Sequence, residues 1–91
     1  MIVALFGEVD PITGFVYDLG KLRDLIKKEV EEPFDHKNLN EEVAEFKSLN
    51  PTAENIAIVV YNKLRPHIPL NLEIEVTLYE TRRNFVRYSG E

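Results

Sequence analysis

Between Leu70 and Glu80 the chain alternates with period two. Leu70, Leu72, Ile74, Val76 and Leu78 take the even positions, and Asn71, Glu73, Glu75, Thr77 and Tyr79 lie between them. That spacing predicts a strand with one face on a core and the other wet or semi-polar. The same parity carries Glu80 onto the apolar face, where a carboxylate is costly unless something donates hydrogen bonds to it. Two readings follow. Either the strand ends at Tyr79 and Glu80 turns out to water, or Glu80 is held at the rim of the core for a ligand with paired N–H donors.

The remaining pattern supplies partners for that strand. Residues 1–9 open with Ile2, Val3, Ala4, Leu5 and Phe6, apolar at both parities, which predicts a strand covered on both faces. Asp10 to Gly14 reads as a turn. Asp18 is a good N-cap for a helix whose apolar stripe is Leu19, Leu22, Leu25, Ile26 and Val30, with an end expected near Pro33. A second helix opens at Thr52 with Glu54 in its first turn. Its stripe is Ile56, Ala57, Val60, Tyr61 and Leu64, and Pro66 and Pro69 are expected to end it. Between the helices, residues 35–51 read as a long loop pinned by Leu39, Val43, Phe46 and Leu49. Residues 81–84 form a connection and Phe85 to Tyr88 a last strand. The order strand, helix, helix, strand, strand is α+β with an antiparallel hairpin at the C-terminal end. So thin a sheet has bare edges, and completion by other subunits is expected.

Composition narrows the classes. Ninety-one residues make one domain with a small core. A net charge of −5 argues against nucleic acid as the main partner. With 30% charged residues and no long apolar run, no membrane association is expected, and with no targeting signal a cytoplasmic location is. The absence of cysteine removes disulfides, thiolate metal sites and a cysteine nucleophile. Arg82, Arg83 and Arg87 form a local basic patch, read as a solvated hairpin face. The two histidines, His36 and His67, are too few and too far apart for a zinc site. His67 reads as structural or solvated. Asp35–His36 could orient an imidazole and move a proton, but a bare dipeptide is a weak signal.

Four stretches in order carry a more specific message: GEVDPITGFVYDLGKL, DHKNLN, NPTAENIA, and YET at Tyr79 to Thr81. Together they resemble the 6-pyruvoyl-tetrahydropterin synthase and 6-carboxy-tetrahydropterin synthase family across nearly the whole chain. The resemblance implies a tunnelling fold, or T-fold: an antiparallel sheet with two helices on one face, in the order ββααββ, here with the first strand missing. It also implies a barrel completed by oligomerisation, as a trimer or hexamer. It further implies action on 7,8-dihydroneopterin triphosphate in pterin or queuosine-precursor biosynthesis. Glu80 would anchor the pterin ring, with Thr81 as a second polar contact. Asp35 and His36 match the family's proton-transfer pair.

The departures from the family matter as much. Its zinc is held by three histidines that, with its catalytic cysteine, precede the position matched by Met1, and none of them is in this sequence. The expectation is therefore a single domain over residues 1–91, shortened at its N-terminus, binding no metal and inactive as it stands. The alternative is a non-catalytic pterin- or purine-binding or assembly paralogue.

Overall fold

The computed structural model describes residues 1–9, 11, 12, 14, 16–34 and 52–90. The alternating stretch is the middle strand. β2 (Glu73–Tyr79) pairs antiparallel with β1 (Ile2–Phe6) on one side and β3 (Phe85–Tyr88) on the other. The register sets Val3 opposite Val76 and Leu5 opposite Ile74, and sets Tyr88 opposite Val76 and Val86 opposite Leu78. Opposed residues point to the same side, so one face of the sheet is apolar across all three strands.

The helices pack on that face. α1 (Leu19–Ile26) continues through a π-helical segment (Lys27–Glu31) into a last turn, α2 (Glu32–Phe34), and α3 (Ala53–Leu64) is followed by a 3-10 turn (Arg65–His67). Leu22 and Val30 from the first rod and Ala57, Val60 and Leu64 from α3 form one buried cluster with Ile68, Leu72, Ile74 and Val76. Burying an aliphatic side chain of this size contributes on the order of 1.5–3 kcal/mol. A helix cap contributes about 1 kcal/mol. The shared apolar face therefore outweighs the caps, though both expected caps are present. The Asp18 carboxylate accepts from the Gly20 and Lys21 N–H groups at 2.8 and 3.2 Å, and the Thr52 hydroxyl accepts from Asn55 N–H at 3.2 Å. The α+β class and the element order agree with the sequence, and residues 35–51 lie outside the described residues.

Several boundaries differ, each for a physical reason. Leu70 is 91% exposed at the tip of a turn in which Leu72 N–H donates to the Pro69 carbonyl at 3.0 Å. The Arg65 guanidinium fastens the turn by donating to the carbonyls of Leu72 (2.8 Å), Ile68 (3.1 Å) and Pro69 (2.6 Å). Ile68 and Leu72 are buried at its ends. The strand therefore starts at Glu73, and only the later part of the alternation is extended. Leu19 is 76% exposed because it is the first helical residue, ahead of the part of α1 that meets the sheet. The described part of the first helix ends at Phe34, close to Pro33 as expected, although Glu32 before the proline is still helical. The wider π register before it, with Glu32 N–H donating to the Lys27 carbonyl, relieves the crowding a proline ring causes in an α-helix. Val59, outside the predicted stripe, is buried against Phe34 and Ile56.

The second face of the sheet is mixed. Ile2, Ala4 and Phe6 stand opposite Thr77, Glu75 and Glu73, and Arg87 and Phe85 stand opposite Thr77 and Tyr79. Thr77 is buried in this row. The Arg87 guanidinium lies 4.8 Å from the Phe85 ring centre and its Nε is 3.8 Å from Glu75. Ile2 and Phe6 are about half exposed, at 52% and 49%, so a single chain does not cover β1 on both faces. We predict that Ile74→Ala lowers unfolding free energy by about 2–5 kcal/mol. Leu70→Ala should change it by less than about 0.5 kcal/mol. Urea denaturation of both variants measures the contrast.

Candidate functional site

β2 ends at Tyr79, so Glu80 leaves the alternation and is exposed in the turn to β3. The parity that would have carried it onto the apolar face stops one residue short. The turn has its own hydrogen-bond logic. The Asn84 carbonyl accepts from Glu80 N–H at 2.9 Å and from Thr81 N–H at 3.2 Å. The Thr81 hydroxyl accepts from Arg83 N–H at 3.3 Å and from Asn84 N–H at 3.1 Å. A hydroxyl has two acceptor sites and one donor. Both acceptor sites of Thr81 are thus engaged within the turn, and its O–H remains able to donate outward. The Glu80 carboxylate can only accept when ionised. The two side chains therefore offer an acceptor pair and a single donor from adjacent positions.

This end of the sheet also carries an apolar cavity of about 460 Å³. Met1, Val30, Glu31, Phe34, Ile56, Val60 and Leu78 line it. Leu78 lies two residues before Glu80, and Phe34 directly precedes Asp35. Asp35 and His36 themselves lie outside the described residues. The cavity is thus walled by Leu78 of β2 on one side and by Phe34 at the end of the first helical rod on the other. Reading the sequence missed the lining. Phe34, between Pro33 and Asp35, was the available signal, since an aromatic next to a predicted helix end usually packs rather than dangles.

A second cavity of about 460 Å³ lies beyond the other end of β2, where Tyr61 and Arg65 of the α3 end face Phe6, Glu73, Glu75 and Ser89. Arg65 spends its two terminal nitrogens on turn carbonyls, and its buried Nε has no hydrogen-bond partner among the described residues. The clamp makes this a structural arginine that the sequence did not disclose. His67 is also remote from Glu80. It follows the C-terminal end of α3, with its Nε2 3.4 Å from Glu29, whereas Leu78 shares its cavity with Ile56 near the other end of α3.

The whole chain, residues 1–91, matches the family described as 6-pyruvoyl tetrahydropterin synthase. The chain belongs to that family. It is similar to the human 6-pyruvoyl tetrahydrobiopterin synthase, 36% identical over 91 residues that cover all of this chain and 63% of the relative. It is similar to the synthase of the same name from Dictyostelium discoideum, 35% identical over 89 residues, covering 98% of this chain and 65% of the relative. A third relative is the 6-carboxy-5,6,7,8-tetrahydropterin synthase of Rickettsia conorii, 34% identical over 91 residues, covering 80% of this chain and 66% of the relative. The chain thus spans a little under two thirds of the length of the curated relatives it matches.

The donors needed for the family's zinc do not fit these 91 residues. The sequence has two histidines and no cysteine, and His67 sits beside Glu29 away from the Glu80 turn. Among the described residues no three His, Cys, Asp or Glu side chains are grouped to hold a metal. Among the same residues no helix is long and apolar enough to cross a membrane. For the turn, we predict that Thr81→Ala costs about 1 kcal/mol by depriving two N–H donors of their acceptor. Faster amide hydrogen exchange at Arg83 and Asn84, with Ile74 unchanged, would be the signature.

Proposed function

We propose that the chain is the pterin-binding part of a tetrahydropterin synthase, acting on 7,8-dihydroneopterin triphosphate in pterin or queuosine-precursor biosynthesis. The observation that carries this reading is the convergence at one cavity of Phe34, which leads into Asp35–His36, and Leu78, which leads into Glu80–Thr81. The family membership and the names of the relatives support it. In this reading residues 1–91 are one T-fold domain whose sheet continues into neighbouring subunits as a trimeric or hexameric barrel. Half-exposed Ile2 and Phe6, and outer edges of β1 and β3 that are unpaired among the described residues, support that assembly. The protein works in the cytoplasm, on a water-soluble ester.

Each residue then has a task that its chemistry allows. Glu80 accepts two N–H groups from the pterin, the ring N–H and the exocyclic amine, which lie side by side as a bidentate carboxylate requires. Thr81 donates its free O–H to a neighbouring acceptor on the ring. Asp35 accepts from one imidazole nitrogen of His36, which fixes the tautomer, and the other nitrogen moves a proton on the pterin side chain. No step here passes through zinc, because the residues present do not supply its ligands. The second reading is a T-fold paralogue that binds a pterin or purine, or supports assembly, without catalysis. Both readings require Glu80 as the anchor.

The anchor is directly testable. Glu80→Gln replaces one acceptor by a donor facing the ligand's donor, and an unpaired polar contact costs on the order of 1–3 kcal/mol. We predict about tenfold or greater loss of affinity for a reduced pterin, with folding unchanged. Glu73→Gln, at the opposite end of β2, should leave affinity within about twofold. Calorimetric titration of the three proteins decides it: equal affinity for wild type and Glu80→Gln would remove Glu80 from the site.

A further inference from the structure

The apolar cavity at the Leu78 end of β2 has one acidic wall position to which the proposed function gives no task. Its other described lining side chains are aliphatic, a thioether or a phenyl ring, so Glu31 alone among them carries a strong hydrogen-bonding group. The first helical rod puts it there. Phe34 lies three residues beyond Glu31 and four beyond Val30, the spacings that share a helix face. Val30 is buried, whereas Glu31 is exposed, so its carboxylate stands where the cavity meets solvent. The π segment ends at Glu31 itself. Such wide turns are rare, and within helices they are frequent at functional sites.

The fold does not use this carboxylate. Among the described residues no hydrogen bond or ion pair engages Glu31. By contrast, Glu29 in the same segment is 3.4 Å from His67 Nε2, and Glu75 is 3.8 Å from Arg87 Nε. The cavity, at about 460 Å³, has the size of a small-molecule site. A flat ring seated against its apolar wall loses water at its polar edges, and each edge then needs a partner. The inference rests on the pterin reading for the ligand. In that reading Glu80 takes the ring N–H and the exocyclic amine, and Thr81 donates to an acceptor. A 7,8-dihydropterin ring then has one donor left, N8–H. In the fully oxidised ring N8 carries a lone pair instead. An ionised carboxylate accepts and cannot donate, so it suits the first ring and repels the second. We propose that Glu31 is a specificity-determining residue that accepts from N8–H and selects the reduced pterin over the oxidised one.

The test is calorimetric titration of the 91-residue chain with 7,8-dihydroneopterin and with neopterin, in oxygen-free buffer. The variants are Glu31→Gln, Glu80→Gln and, as a control, Glu32→Gln, which is exposed and outside the described lining. Circular dichroism confirms equal folding. Wild type and Glu32→Gln should bind the reduced ring about tenfold tighter than the oxidised one. An amide can turn either its oxygen or its nitrogen to N8, so Glu31→Gln should bring the two affinities within about twofold. Glu80→Gln should weaken both ligands and keep the preference for the reduced ring. Equal binding of the two rings by wild type, or an undiminished preference in Glu31→Gln, would overturn the role of Glu31 while leaving the pterin reading in place. If wild type binds neither ring, the pterin reading fails and the role of Glu31 fails with it.

Discussion

The structure depends on β2 being apolar on one face and paired on both edges. Ile74 and Val76 are fully buried under α3, while β1 and β3 are hydrogen-bonded to either side of the same strand. A one-residue slip would send Glu73 and Glu75 into the core and Ile74 and Val76 to the other face. The register is therefore fixed by burial, and the places where β2 begins and ends are fixed with it. At its start, Arg65 binds three carbonyls and turns the chain away from the core before Glu73. At its end, the hydrogen bonds of the Asn84 carbonyl close the turn immediately after Tyr79. The candidate anchor sits at the first position freed from the strand.

That placement gives Glu80 its chemical character. A carboxylate buried beside Leu78 would lose hydration and resist ionisation unless donors replaced the water. At the exposed turn its carboxylate is hydrated and open to hydrogen-bond donors, while the strand behind it holds its backbone. Thr81 is partly committed to shaping the same turn, which limits it to donation. The apolar cavity next to this end, with Phe34 and Leu78 in its wall, offers a surface for a flat ring. Leu78, two residues before Glu80, thus belongs to an apolar wall, whereas the cavity at the other end of β2 is bordered by an arginine already committed to the fold.

Much of the fold was legible in the sequence because it depends on periodicity. The even positions Leu72 to Val76 are buried as the alternation required, and Asp18 and Thr52 cap their helices as their residue types suggested. The differences came from interactions between segments. Nothing local to Leu70 reveals that Arg65 will turn it outward, and nothing local to Pro33 reveals the π register that keeps Glu32 helical before it. Of the candidate site, Glu80 and Thr81 were legible through the YET motif, but the hydrogen bonds that define the turn depend on Asn84, which no pattern singled out. Family membership came from four ordered motifs and is shown by the full-length match. The zinc ligands are a separate matter, since a chain with two histidines cannot supply three.

The central claim is that a pterin binds at the Leu78–Glu80 end of β2. Backbone amide NMR during titration with a reduced pterin tests it most directly. The account predicts that shifts concentrate at Glu80 to Asn84 and at Phe34, with Arg65, Glu73 and Ser89 unmoved. Shifts concentrated at Arg65, Glu73 and Ser89, with the Glu80 turn silent, would contradict it.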